Sequence, residues 1–310
     1  MKYKLLLFAF SALLLAAIVW LSDPGEMTGH LAKADYRYIL LGFAVATASL
    51  LLRVMKWKVL LNDIGFVQLL PVQLLGITIS NFTPGKAAEP FKAVLLKAKE
   101  KRSVSSVMPS IVWERIIDVI VLVLASLFLL FIVSEELLLA AYVSIGLFSV
   151  VVVAALVLMH NESLGTVMFN FMRKFPFLNR VDGSFIKNFY SEKIPTKNIL
   201  VSLAVTSGVW ALDGMVLYVA LRSVGVDVAP AYLVGILALS TLIGVISFLP
   251  GGIGSSEFVM LVMLGHLGVE QAVALSGIIL MRLMTLWYST LLGYLSFVYM
   301  TRKLNISIRL

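Results

Sequence analysis

Charged residues are sparse in this sequence, and several stand inside apolar runs. Glu114, Arg115 and Asp118 share one such run. On a helix, Arg115 and Asp118 are three apart and can pair, while Glu114 and Asp118 are four apart and share a face. A charge at the centre of a bilayer costs about 3 kcal/mol on insertion scales, so these groups should face protein interior or water. Two readings are open: an ion pair that locks this helix to a neighbour, or a charge site lining a path for lipid or ions. Arg282 lies well inside a later apolar run with no acid within four positions of it. Its charge must be balanced by Glu257, by Asp213 or by a bound anion.

A second group of residues surrounds two breaks. Gly251, Gly252 and Gly254 precede Ser255, Ser256 and Glu257, a loop that feeds a helix start. Glycines let backbone N–H groups converge and a serine can cap, so such a terminus attracts phosphate. The plainer alternative is close packing. Glu89 follows Pro84 much as Glu257 follows Pro250. An ionised carboxylate repels phosphate, so these acids are better suited to balancing Arg115 and Arg282, to exchanging protons, or to meeting a cationic head group. Lys86 and Lys92 flank the first break, placed either to hold an anionic head group or to snorkel to the interface. The expected substrate-binding set is Arg115, Arg282, Lys86, Asn81, Gly251, Gly252, Gly254 and Ser255. Glu89, Glu114, Asp118, Glu257 and Asp213 are expected in charge balance or proton coupling, and Pro84, Gly85 and Pro250 as hinges.

The elements that must position these residues repeat. Phe82-Thr83-Pro84-Gly85 and Phe248-Leu249-Pro250-Gly251 are both F-x-P-G, and each interrupts an apolar run. Proline removes a donor and clashes with the preceding turn, and glycine accepts backbone angles that helices do not use, so both runs must break. Arg115 follows the first proline by about 31 residues and Arg282 follows the second by about 32, an internal symmetry of the kind found in transporters with interrupted helices.

Charge placement then orders the spans. The runs at 5–21, 36–52, 103–133, 137–159, 199–221 and 271–300 read as about six full spans. Leu5–Leu21 lacks a signal-cleavage site and is expected to be retained. Arg53, Lys56 and Lys58 read as determinants of a cytoplasmic end, with Trp57 at the interface. Lys97, Lys99, Lys101 and Arg102 also belong inside, so 66–96 is expected to be a re-entrant hairpin entering from the cytoplasm. The second, 232–267, is expected to enter from the other face; the rival topology makes Tyr232–Leu249 a full span, which leaves Ser255–Leu267 too short to complement it. The fold expected is an all-α polytopic membrane protein, one integral domain over 1–310, with opposed hairpins in an inverted repeat. Its halves run from about 36 to 159 and from about 199 to 300. The basic segment 160–198 is expected as a cytoplasmic loop, amphipathic around Met168–Phe177, and both termini as cytoplasmic in a cell-membrane protein.

Composition agrees with a membrane protein. Of 310 residues, 60% are hydrophobic and 14% charged, with a mean hydropathy of +1.00, which excludes an ordinary soluble domain. The net charge of +8 arises from loop Lys and Arg, as the positive-inside rule demands, and does not imply nucleic acid. Zero cysteines exclude disulfides and thiolate metal sites. His30, His160 and His266 are scattered, so no metal is expected; no nucleotide-binding loop occurs, so no cofactor is expected either.

Arg53–Leu61 with Arg-x-x-Lys-Trp, Asn81–Gly85 with Glu89, Glu114-Arg115 with Asp118, and Pro250–Gly254 with Glu257 together resemble the membrane region of the lysylphosphatidylglycerol synthase/flippase family. The resemblance spans about 53–300. It implies two re-entrant hairpins and movement of a lipid with a modified head group between leaflets. Lys86 stands where the family pattern has arginine and Ala88 where it has glycine, so head-group contacts near Glu89 should differ. The aminoacyl-transferase domain of full-length synthases does not follow the last span, so this chain is not expected to aminoacylate lipid. A membrane-embedded transferase using Glu114, Asp118 or Glu257 as base, and a non-transporting partner of a lipid-modifying enzyme, are the competing readings. Membrane lipids, such an enzyme and a second copy of the chain are the partner classes left open.

Overall fold

The computed structural model describes residues 2–61, 63–131, 135–172 and 184–303. Its regular elements there are helices. Helix α1 (Lys2–Leu21) turns through 85° into α2 (Pro24–Ala32). Asp23 makes the corner: its Oδ1 accepts the N–H groups of Gly25 and Glu26, and Pro24 starts the new helix with its φ preset. Helix α3 (Tyr36–Leu61) and α10 (Thr196–Ser223) are long and pack together. Between them in sequence lie α4 (Phe66–Asn81), α5 (Phe91–Glu100), α6 (Val104–Leu127), α7 (Glu135–His160), α8 (Glu162–Met172) and α9 (Ser184–Ser191). After α10 follow α11 (Pro230–Ile246), α12 (Ser255–His266), α13 (Gln271–Arg282) and α14 (Tyr288–Lys303). A π-helical segment, Leu283–Trp287, joins the last two into one rod immediately after Arg282.

Among the described residues four helices are long and apolar enough to cross a membrane: Tyr36–Leu61, Ala141–His160, Thr196–Ser223 and Gln271–Arg302, with the bent α1–α2 pair as a fifth candidate. This is an integral membrane protein, with fewer unambiguous spans than the expected six. The expected spans at 5–21 and 103–133 fall on α1, which leads through the corner at Asp23 into α2, and on α6, which is long enough but carries Glu114, Arg115 and Asp118. Val150, Val153 and Val157 of α7 are exposed, a surface suited to lipid rather than water.

The two F-x-P-G sequences break the chain as expected, and each break joins two helices that contact each other, α4 to α5 and α11 to α12. Gly85, Gly251, Gly252 and Gly254 all have positive φ, and so do Lys86 and Phe248, which leaves each chain reversal in the left-handed region. The breaks also meet. Pro84 and Pro250 form an isolated antiparallel β-bridge, and a side chain added at Gly251 would come within 3.1 Å of the Asn81 carbonyl oxygen.

Three apolar cores hold this arrangement. One joins α10 to α11, α12 and α13, and includes Leu217, Leu221, Leu233 and Ile278. A second joins α3 to α4, α5 and α6 around Trp57, Leu69, Leu96 and Ile111. The third, with Leu122, Phe148, Trp210 and Leu242, ties α6 and α7 to α10 and α11, so it bridges the two halves of the sequence.

Several expectations are corrected here. Helix α3 does not end at Leu52 but continues through Arg53, Lys56 and Lys58 to Leu61. Trp57 is wholly buried among the helices; its indole N–H donates to Ser110 at 3.1 Å. The segment 160–198 is not a plain loop, because it contains α8 and α9, stacked through Phe169 and Phe185. Arg173, Lys174, Arg180 and the end of the expected amphipathic stretch Met168–Phe177 lie outside the described residues.

Candidate functional site

Helices α3, α4, α6, α10, α11 and the α13–α14 rod surround a cavity of about 150 Å³, closed on one side by the two breaks. Of the expected site residues, Asn81, Gly85, Lys86, Glu89, Arg115, Asp213, Gly251, Gly252 and Arg282 line it. Pro84 and Pro250 form the bridge beside it, Ser255 lies outside its lining, and Glu114, Asp118 and Glu257 hold the residues that line it.

The first cluster of charges is balanced and closed. Lys56 Nζ lies 2.7 Å from Asp118 and 3.2 Å from Glu114. Lys92 Nζ lies 2.5 Å from Glu114 and 3.2 Å from Glu89. Arg115 reaches Asp118 at 2.6 Å, Glu89 at 3.3 Å and Glu114 at 3.5 Å. Gln73 links the cluster to α4, accepting from Lys92 at 3.1 Å and donating to Glu114 at 3.3 Å. Three cations therefore meet three acids drawn from α3, from the first break with α5, and from α6. Lys56 and Lys92 have no exposed surface. They do not snorkel, and Lys92 is not free for a head group; burial of Glu114 and Asp118 would be prohibitive without them. Lys92 also lies over the Trp57 ring, 4.7 Å from its centroid, a favourable seat for a desolvated ammonium. It crosses α4 at Gly76, where any β-carbon would collide with its stem.

The second cluster is smaller. Arg282 Nε donates to Glu257 at 2.5 Å, and its terminal nitrogen reaches the Ser256 hydroxyl. Of the three balances considered for Arg282, Glu257 is the one in contact. Glu257 also accepts the Gly254 N–H at 2.6 Å, so it caps α12 and occupies the amide that a phosphate would need. The Ser255 hydroxyl is engaged with Ser247 at 2.8 Å. The two halves thus match: in each, the arginine downstream of the break contacts the glutamate just past that break.

Asp213 goes to a different partner. It binds Arg53 and accepts from Ser49 at 2.5 Å, and Arg53 stacks over Trp210, 5.4 Å from the ring centroid. Arg53 and Asp213 stand at the same distance from the starts of their helices, Tyr36 and Thr196, so the pair joins corresponding positions of the two halves. Arg53, Lys56, Gln73 and Trp210 were not anticipated at the site. The readable signal was that shared offset and an arginine, Arg53, within a run long enough to continue as helix.

A family model described as the lysylphosphatidylglycerol synthase TM region matches residues 5–293. A UPF0104 membrane protein of Methanothermobacter thermautotrophicus is 27% identical, with 94% of each chain covered. One from Pyrococcus horikoshii is also 27% identical, over 98% of this chain and 99% of its own. The phosphatidylglycerol lysyltransferase of Staphylococcus xylosus is 39% identical over 26% of this chain and 10% of its own.

Proposed function

Because the chain belongs to the lysylphosphatidylglycerol synthase TM region family, we propose that it moves a phospholipid or other lipid-linked head group between leaflets. The observation that carries this is the cavity at the contact of the two breaks. It is lined by Arg53, Lys86, Arg115 and Arg282 inside a protein whose remaining surface is largely apolar. A polar head group crosses a bilayer only along a polar path, while its acyl chains stay in lipid. On this reading α4–α5 and α11–α12 are re-entrant hairpins entering from opposite faces, and their touching ends form the barrier that the head group passes. The phosphatidylglycerol lysyltransferases, matched over about a quarter of this chain, carry in their name a phospholipid of the kind proposed.

The test is leaflet exchange of labelled phospholipid in proteoliposomes. Arg282→Ala removes the cation of the second cluster while leaving the larger one intact, and is expected to slow exchange about tenfold, equivalent to about 1.4 kcal/mol of barrier. Equal rates for wild type, Arg282→Ala and protein-free liposomes would end the proposal.

A further inference from the structure

Every cation at the cavity except one is matched. Arg53 is held by Asp213, Arg282 by Glu257, and Arg115 shares Glu89, Glu114 and Asp118 with Lys56 and Lys92. Lys86 lines the same cavity, and among the described residues its ammonium has neither an ion-pair partner nor a hydrogen bond. One positive charge is left over. Two N–H donors are unmet as well: Nε1 of Trp210, a side chain only 7% exposed, and Nε of Arg115. Both residues line the cavity. The carboxylate oxygens in the same condition, Glu89 Oε2 and Asp118 Oδ2, already lie against Lys92 at 3.2 Å and Arg115 at 2.6 Å. What the cavity lacks is an acceptor bearing one negative charge.

Size narrows the class. About 150 Å³ is room for on the order of ten waters, enough for a phosphate group and a short polar substituent. We infer that the cavity takes the phosphodiester of a lipid whose head group carries one net negative charge and no amine, with Lys86 as counter-charge and the Trp210 N–H as a neutral donor. A zwitterionic or aminoacylated head group would bring an ammonium beside Lys86, and no unpaired carboxylate is present to receive it, so such lipids are disfavoured by repulsion as well as by the missing partner. The inference rests on the cavity being the head-group site of the proposed function. It differs from it in naming the substrate's charge.

The experiment is lipid retention by protein purified from nanodiscs containing equal phosphatidylglycerol and phosphatidylethanolamine, read by native mass spectrometry. Wild type is expected to retain phosphatidylglycerol about tenfold over phosphatidylethanolamine. Lys86→Gln should bring the ratio near one, Lys86→Arg should restore it, and Trp210→Phe should lower it a few-fold while keeping the ring under Arg53. In nanodiscs that also contain an equal share of lysylated phosphatidylglycerol, Lys86→Glu should turn the preference toward that lipid. Parity in the wild type, or an undiminished ratio in Lys86→Gln, overturns the inference. Inorganic phosphate that binds as tightly as the lipid, in a Lys86-dependent way, would overturn its lipid part and leave a free-anion site. Leaflet exchange measured alongside separates the two claims: preference without exchange keeps this inference and removes transport, whereas exchange without preference does the reverse.

Discussion

Lys92 shows how the charges work at the scale of one residue. Its ammonium touches Glu89 and Glu114 from a position with no solvent exposure, so truncating it leaves three buried acids to two cations. Removal of one partner from a buried pair costs about 3–5 kcal/mol. Lys92→Met should therefore lower the thermal unfolding midpoint of the purified protein sharply, and adding Glu114→Gln should recover part of the loss. A double variant no more stable than Lys92→Met alone would mean the network does not couple them. The acids were readable from sequence as buried and in need of cations. Their partners were not, because Lys56 and Asp118 are 62 positions apart, and a basic cluster at the end of an apolar run looks the same whether it faces cytoplasm or meets acids on a later helix. Arg282 with Glu257 was within reach because few acids exist in that half to compensate it.

At the scale of the element, the two breaks are where sequence and structure agree best. Proline followed by glycine forbids a continuing helix whatever surrounds it. What the pattern could not reveal is that the breaks touch, since the Pro84–Pro250 bridge depends on how two distant segments pack. Gly251 serves both needs, with φ at +65° and room for no side chain beside the Asn81 carbonyl. Gly251→Val should cost about 1–2 kcal/mol for its left-handed backbone alone, and more for separating the breaks. Because the three apolar cores do not include this residue, the expected outcome is folded protein with impaired leaflet exchange, measured by chromatography and by the liposome assay. Wild-type exchange in a folded Gly251→Val would show that contact of the breaks is dispensable. The π segment after Arg282 was not legible, since nothing in Leu283–Trp287 forbids an ordinary helix; it follows the residue that must reach Glu257, and such bulges recur at functional sites.

Across the whole molecule, the repeat relates more than motifs. Corresponding arginines contact corresponding glutamates, Arg53 on α3 meets Asp213 on α10, and the breaks pair in antiparallel sense, all as an approximate two-fold relation would produce. The apolar cores cross between the halves: the first sets Ala46 and Ala141 beside Leu217 and Ile278, the second sets Met300 beside Trp57, and the third sets Leu122 beside Trp210. Helix class could be read from hydropathy and charge. The expected span at 103–133 falls on α6, whose three charges set it apart from the other long apolar helices. On the proposed function, a site whose wall includes the contact of the two breaks would open to one leaflet and then the other by parting them. Residues opposed in an antiparallel bridge have Cα atoms about 4.5–5.5 Å apart, within the span a disulfide accepts, and the chain has no cysteine to interfere. A Pro84→Cys, Pro250→Cys double variant should therefore cross-link on oxidation. If the halves must part to pass a head group, exchange stops in the oxidised protein and returns to the reduced variant's rate with reductant. Exchange that continues at full rate through the cross-link would show that the head group travels around a fixed contact, and the site would then have to be sought outside the breaks.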